Sequence, residues 1–151
     1  MKLWGSENVV PRDISLAKTI HDDELLAVAG TLAKQGERIK DMYLTKAKND
    51  PGIYALKLYL LGDYITVVVD DHLAFMADTD EYKDKAAFTQ IGNDDSFWAT
   101  LLEKAVAKYS GSYEDLNDTK NYGSAQEYFM ILTGGPFKSY EIKNMSAEEI
   151  W

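Results

Sequence analysis

Two β-rich runs with a glycine–aspartate pair between them constrain the fold of this chain more than any other feature. Residues 53–61 and 64–70 are rich in valine, isoleucine, leucine and tyrosine, and Gly62-Asp63 separates them. This arrangement is typical of a tight β-hairpin. Because both faces of the two runs are largely apolar, helices must cover at least one side of the hairpin. The side chains expected to face those helices are Leu56, Leu58, Val67 and Val69.

The first of these helices is predicted over residues 22–35. Its apolar positions recur with helical spacing, so one of its faces is expected to be buried. Asp22, Asp23 and Glu24 form its first turn, where negative charge suits the positive end of a helix dipole. We expect these three carboxylates to be exposed.

A long amphipathic helix is predicted over residues 95–109, with Asp94 and Asp95 capping its start and Glu103 facing solvent. Less regular patterns predict further short elements: helices over 37–47 and 124–132 and a strand over 88–91. The mixture of a hairpin with segregated helices places the chain in the α+β class.

Composition narrows the functions that the chain can have. Its 151 residues suit a single domain spanning residues 1–151. The absence of cysteine excludes disulfides, thiolate metal sites and a cysteine nucleophile, and no cofactor motif is found. A net charge of -9 argues against general nucleic-acid binding, and no apolar run is long enough to span a membrane. A capping box at Ser146–Glu149 opens a helix two residues before the last residue, too short to be stable alone. This favours a domain excised from, or part of, a longer protein over a short helix that packs on the domain.

Four segments in order resemble the calpain family of papain-like cysteine proteases. The first reads G-D-Y-I-T-V-V-V-D-D-H-L, which is similar to the family pattern G-x-W-x-x-V-x-V-D-D-x-L. The second reads S-F-W-A-T-L-L-E-K-A-V-A-K, which is similar to E-F-W-x-x-L-L-E-K-A-Y-A-K, and G-S-Y-E-D-L and L-T-G-G follow it. These segments are residues 62–73, 96–108, 111–116 and 132–135. The resemblance implies a papain-like half-core, the first subdomain of a calpain protease core.

The same resemblance implies that the catalytic site is degenerate. The family motif G-D-C-W-L-L-A-A carries the cysteine nucleophile, and the ungapped match here begins with His21 and Asp22. Asp23 then stands at the cysteine position and Glu24 at the tryptophan position. The oxyanion-hole glutamine has no counterpart in residues 15–18, and the catalytic histidine and asparagine belong to a second half that we expect to be absent. The chain is therefore expected not to be an enzyme.

An inactive calpain-like module implies a role in binding. We expect it to serve as a protein-interaction or scaffold domain whose acidic residues Asp22, Asp23 and Glu24 meet a basic segment of a partner or of another domain of the parent protein. Trp4, near a loose N-terminus, and Trp151, at the last position, are candidate contact residues. The family resemblance favours a cytoplasmic location, with cytoskeletal association as one variant.

Two alternatives remain open at this point. The first is a calcium-responsive regulatory module, since the resemblance places one family calcium ligand at Asp13. The second family ligand, a glutamate, falls at Ser96, so that Asp95 would have to replace it. The second alternative is an active peptidase that a missing half completes.

Overall fold

The computed structural model describes residues 1–5, 8–16, 19–76, 85–117, 124–138, 140 and 142–150. Two strands and six helices are found in this part of the chain, together with short 3-10 turns at Pro11–Asp13 and Ile142–Asn144. The elements, in chain order, are α1 (Asp23–Ala33), α2 (Gly36–Met42), β1 (Ile53–Leu60), β2 (Asp63–Asp70), α3 (Trp98–Ser110), α4 (Tyr113–Asn117), α5 (Ala125–Thr133) and α6 (Ala147–Ile150). This arrangement confirms the α+β class.

The predicted hairpin is present, with its turn one residue earlier than expected. β1 and β2 pair antiparallel from Ile53–Asp70 to Leu60–Asp63. Leu61 and Gly62 form the two-residue turn and have φ values of 52° and 92°. Positive φ at both central positions is the geometry that continues the right-handed twist of the strands. Leucine adopts such a φ at a cost, which is why the sequence pointed to Gly62-Asp63 instead.

The helices cover the hairpin on the expected side. Leu56 and Leu58 are fully buried, and Val67 and Val69 are 7% and 5% exposed. α3 packs against both strands, while α5 packs against β1 and against α1. The inward-facing residues of the hairpin and the apolar stripes of α1, α3 and α5 thus belong to one core.

The long helix α3 begins at Trp98 and not at residue 95, because the preceding residues form a turn. Asp95 has a φ of 65°, and its N–H donates to the Gly92 carbonyl over 2.9 Å. Asp94 accepts a hydrogen bond from the Ser96 N–H, and Phe97, whose side chain makes no capping bond, precedes the helix. The prediction that Asp94 and Asp95 cap α3 was therefore wrong.

α3 is also more deeply buried than its sequence pattern suggested. Glu103, predicted to face solvent, is 1% exposed. Both oxygens of its carboxyl group lie 3.1–3.2 Å from the N–H of Thr89, which belongs to the segment predicted as a strand. Residues 88–91 form no strand because their backbone groups bond instead to Glu103 and to the Ser15 carbonyl.

Of the remaining helices, α5 follows its sequence signals, the helix predicted over 37–47 is five residues shorter at its end, and α4 was not predicted. α5 begins after a reciprocal capping box of Ser124 and Glu127 and ends at Gly134, which has a φ of 71°. α2 stops at Met42 because Tyr43 becomes extended and pairs with Leu56. At α6, the Glu149 carboxylate accepts from both the N–H and the hydroxyl of Ser146. Among the described residues, no helix has the length and apolar character needed to cross a bilayer.

Candidate functional site

The start of α1 is where the sequence placed the degenerate nucleophile. Asp23 is the first helical residue and Glu24 the second, and both side chains are exposed. The helix begins here because the Asp22 carbonyl accepts the first intrahelical bond, from Leu26 N–H over 3.1 Å. The prediction that Asp23 lies in the first turn of this helix is confirmed.

Asp22 differs from its two neighbours. It was expected to be exposed with them, but it is only 2% exposed, so that part of the prediction was wrong. Its side chain makes no capping bond to the helix. It points instead toward Glu103 of α3, with which it is in hydrogen-bonding reach. The fold therefore removes one of the three predicted carboxylates from the surface.

The two buried carboxyl groups strongly affect one another. Burial, the hydrogen bond to Asp22 and the charge of Asp22 raise the pKa of Glu103 from 4.5 to about 9. Burial is also the main reason why the pKa of Asp22 is raised. Sequence reasoning missed this pair because charged residues in a helical pattern usually mark the solvent face. A signal was present nonetheless, since Asp22 and Glu103 each lie inside a segment that carries the family resemblance.

Glu127 is a further acidic residue, at the start of the helix α5 that packs against α1. Burial first, and then the charges of Asp22, Glu24 and Glu127, raise the pKa of Tyr128 to about 12. Carboxylates at the starts of both α1 and α5, two helices that pack together, thus raise the pKa of the Tyr128 hydroxyl. We call Asp23, Glu24 and the half-buried Glu127 the acidic face.

The chemistry available on the acidic face is the reverse of what acyl transfer needs. Amide cleavage needs donors that stabilise a developing oxyanion, and neighbouring carboxylates repel that charge. The same carboxylates attract cationic groups, so the acidic face is suited to binding positive charge.

The two proposed calcium ligands, Asp13 and Asp95, have different surroundings. Asp13 is 3% exposed, and its Oδ2 atom accepts hydrogen bonds from the Trp98 indole N–H over 2.9 Å and from the Val10 N–H over 3.1 Å. Asp95 is exposed and lies in the turn before α3. In the described ranges no three histidine, aspartate or glutamate side chains gather as a set of metal ligands. Asp13 accordingly ties α3 to the N-terminal segment.

Trp4 is held by its own chain. Its indole N–H donates to the Lys46 carbonyl over 2.8 Å, and its ring lies edge-on to Tyr43 at a centroid distance of 4.9 Å. The N-terminus is not loose, because Lys2 exchanges backbone hydrogen bonds with Asp95 and Phe97. Trp4 remains half-buried at this surface. Trp151 lies outside the described residues.

Comparison with known proteins agrees with the sequence motifs. The family model described as "Calpain family cysteine protease" matches residues 4–151. The chain is 33% identical over 111 residues, or 74% of its length, to the Calpain-type cysteine protease DEK1 of Zea mays. It is 38% identical over 98 residues, or 64% of its length, to the Calpain-1 catalytic subunit of Homo sapiens. The matched stretch is 5% of the maize protein and 12% of the human one.

Proposed function

Since the chain belongs to the calpain family of cysteine proteases, we propose that it is a catalytically inactive calpain-like domain that binds a basic protein segment on its acidic face. The observation that carries this proposal is the exposed position of Asp23 and Glu24 at the start of α1. By resemblance to the family motif, this is where a cysteine and a tryptophan would stand. The papain-like α+β framework is kept around it.

The lack of a nucleophile supports the inactive part of the proposal. The 151 residues contain no cysteine, so no other residue nearby can supply the thiolate. A carboxylate is a weak nucleophile toward an amide, whereas a thiolate made by a neighbouring imidazolium is a strong one. Glu24 adds a second negative charge beside the position where an oxyanion would form.

Charge supports the binding part. Asp23 and Glu24 are exposed, and Glu127 of α5 extends the negative surface. The whole chain carries a net charge of -9, which adds a long-range attraction for a cationic segment. α5 also carries an aromatic side chain at the surface, Phe129, which is 37% exposed. A segment of a partner, or of another domain of the parent protein, with lysine or arginine beside an apolar residue fits this surface.

We expect the purified protein to show no peptide hydrolysis above the buffer blank, with or without calcium. The reason is the absent thiolate, and fluorogenic casein and short peptide substrates measure it. Asp23→Ala serves as the control, because any genuine activity that uses this position must vanish with it. Turnover by the native chain that is lost in Asp23→Ala would refute the proposed inactivity.

Binding of a lysine- and arginine-rich peptide is expected to weaken as salt rises, because exposed charges are screened over about 8–10 Å near physiological ionic strength. The double variant Asp23→Asn/Glu24→Gln should lower affinity about two- to thirtyfold at low salt, since exposed ion pairs contribute about 0.2–1 kcal/mol each. Fluorescence anisotropy with a labelled peptide measures both effects.

A matched control separates the acidic face from the overall charge. Asp50 and Glu114 are exposed carboxylates elsewhere on the chain, and Asp50→Asn/Glu114→Gln removes the same two charges. We expect this control to bind the peptide nearly as well as the native chain. An equal loss in both double variants would assign the binding to net charge and would contradict a specific surface.

A further inference from the structure

Two carboxyl groups, one from each side of the α1–α3 contact, meet inside the protein. Asp22 and Glu103 are 2% and 1% exposed, and their side chains are within hydrogen-bonding reach. The ion pairs found within the described part of the chain involve neither of them. Two buried negative charges without a cation would be strongly destabilising.

The hydrogen-bond pattern shows what resolves this conflict. The Thr89 N–H donates to both oxygens of Glu103, while neither oxygen of Asp22 has a donor among the described residues as long as Glu103 is ionised. The group that faces Asp22 is itself a carboxyl, which donates only when it carries a proton. A protonated Glu103 would therefore satisfy Asp22.

We propose that Asp22 and Glu103 share one proton across the α1–α3 contact, and that loss of this proton loosens the first turn of α1 and with it the acidic face. The effect on the acidic face rests on the proposed function. It is expected because Asp23 and Glu24 of that face follow Asp22 directly in the chain. The pair acts as a pH-sensitive clamp built into the fold.

The surroundings of the pair favour retention of the proton. Thr89 faces Glu103 from the segment before α3, while Tyr113 of α4 and Tyr128 of α5 have their pKa values raised by burial and by the nearby carboxyl charges. Asp23 adds a further negative charge on α1, and His21, exposed, precedes the pair. The cavity that Glu103 borders has a volume of only about 10 Å³, room for one water at most, so bulk solvation of a second charge is not available.

The sign of the pH dependence follows from the direction of the shift. The pKa of Glu103 is raised, so the native state keeps a proton that the unfolded chain has lost between pH 4.5 and about 9. The stabilisation is complete below pH 4.5 and disappears as pH rises to about 9. Asp22, whose pKa is also raised, contributes in the same direction.

Glu103→Gln is the decisive variant, because an amide can donate to Asp22 and accept from Thr89 without any ionisable proton. We expect the urea midpoint of the native chain to fall steadily from pH 5 to pH 9, the range between the ordinary and the raised pKa of Glu103. The urea midpoint of Glu103→Gln should stay nearly level over the same range. Glu114→Gln, at an exposed site, should keep the slope of the native chain. Equal slopes in native chain and Glu103→Gln would overturn the proposal.

Two further readouts separate the proton from the docking function. Infrared spectroscopy of the native chain at neutral pH should show the C=O band of a protonated carboxylic acid, and Glu103→Gln should lack it. Hydrogen exchange at the amides of residues 23–26 should quicken above pH 8 in the native chain more than in Glu103→Gln, after correction for intrinsic exchange. Absence of the band at neutral pH refutes the clamp, whereas a clamp without peptide binding refutes only the proposed docking.

Discussion

Asp13→Ala is expected to destabilise the protein by about 2–5 kcal/mol, since each buried donor left without a partner costs about 1–3 kcal/mol. The Asp13 carboxylate joins the indole N–H of Trp98, 85 residues away in sequence, to the N–H of Val10. The alanine variant leaves both donors unsatisfied around a small cavity. The melting temperature should fall on the order of 10 °C, as measured by circular dichroism.

Asp13→Asn is the matched control for this change. The asparagine oxygen can still accept from Trp98 and Val10, so we expect well under half of the loss seen in Asp13→Ala. Calcium titration of the native chain tests the competing interpretation of Asp13 as a metal ligand. A calcium-dependent rise in melting temperature that Asp13→Asn abolishes would show that a cation competes for this carboxylate.

The hairpin and the main helices could be predicted because local and tertiary preferences agree there. The apolar alternation in β1 and β2 has the period of a strand, and the same residues that favour a strand also fill the core. The capping box at Ser124 and the glycine at 134 mark both ends of α5 without ambiguity. Errors at these elements were limited to one or a few residues at their ends.

The start of α3 could not be predicted because tertiary contacts decide it. The acidic residues before the helix look like a capping sequence, yet Asp95 sits at positive φ and the Lys2 backbone pairs with residues on both sides of the turn. Those hydrogen bonds come from the distant N-terminal segment, and no local pattern reveals them. The same contacts hold the N-terminus that the sequence suggested to be loose.

In the candidate site, too, local patterns predicted some positions and tertiary contacts decided another. Asp23 and Glu24 were placed correctly because they fall outside the apolar stripe that the helical spacing of α1 predicts. Asp22 was misplaced because its burial depends on Glu103, a residue on a different helix. A buried carboxyl needs a partner that satisfies its oxygens or neutralises its charge, so the positions of both residues had to be known together.

This arrangement links the framework of the domain to the site at the start of α1. The segments that resemble the family motifs contribute Asp22 on one side and Glu103 on the other, so the resemblance includes residues that hold the α1–α3 contact as well as residues of the nucleophile position. Asp23, at the position where the resemblance places a nucleophile, is exposed and not part of the core. The inactive domain that we propose would therefore keep its fold, and the surface around α1, without a catalytic thiol.

Gly134→Ala is expected to cost about 2–4 kcal/mol through two separable effects, left-handed backbone strain and a steric clash. Gly134 ends α5 with a φ of 71°, and a Cβ atom there would lie 2.6 Å from Cδ1 of Tyr59 in β1. Gly62→Ala is the control for strain alone, because Gly62 has a φ of 92° but a Cβ atom there would have no neighbouring atom within 4 Å. We expect Gly62→Ala to cost only about 1–2 kcal/mol by urea denaturation.

On a Tyr59→Ala background the cost of Gly134→Ala should fall to that of Gly62→Ala, since the clash is gone and the strain remains. An unchanged cost on that background would mean that α5 is not held against β1 through the Gly134–Tyr59 contact.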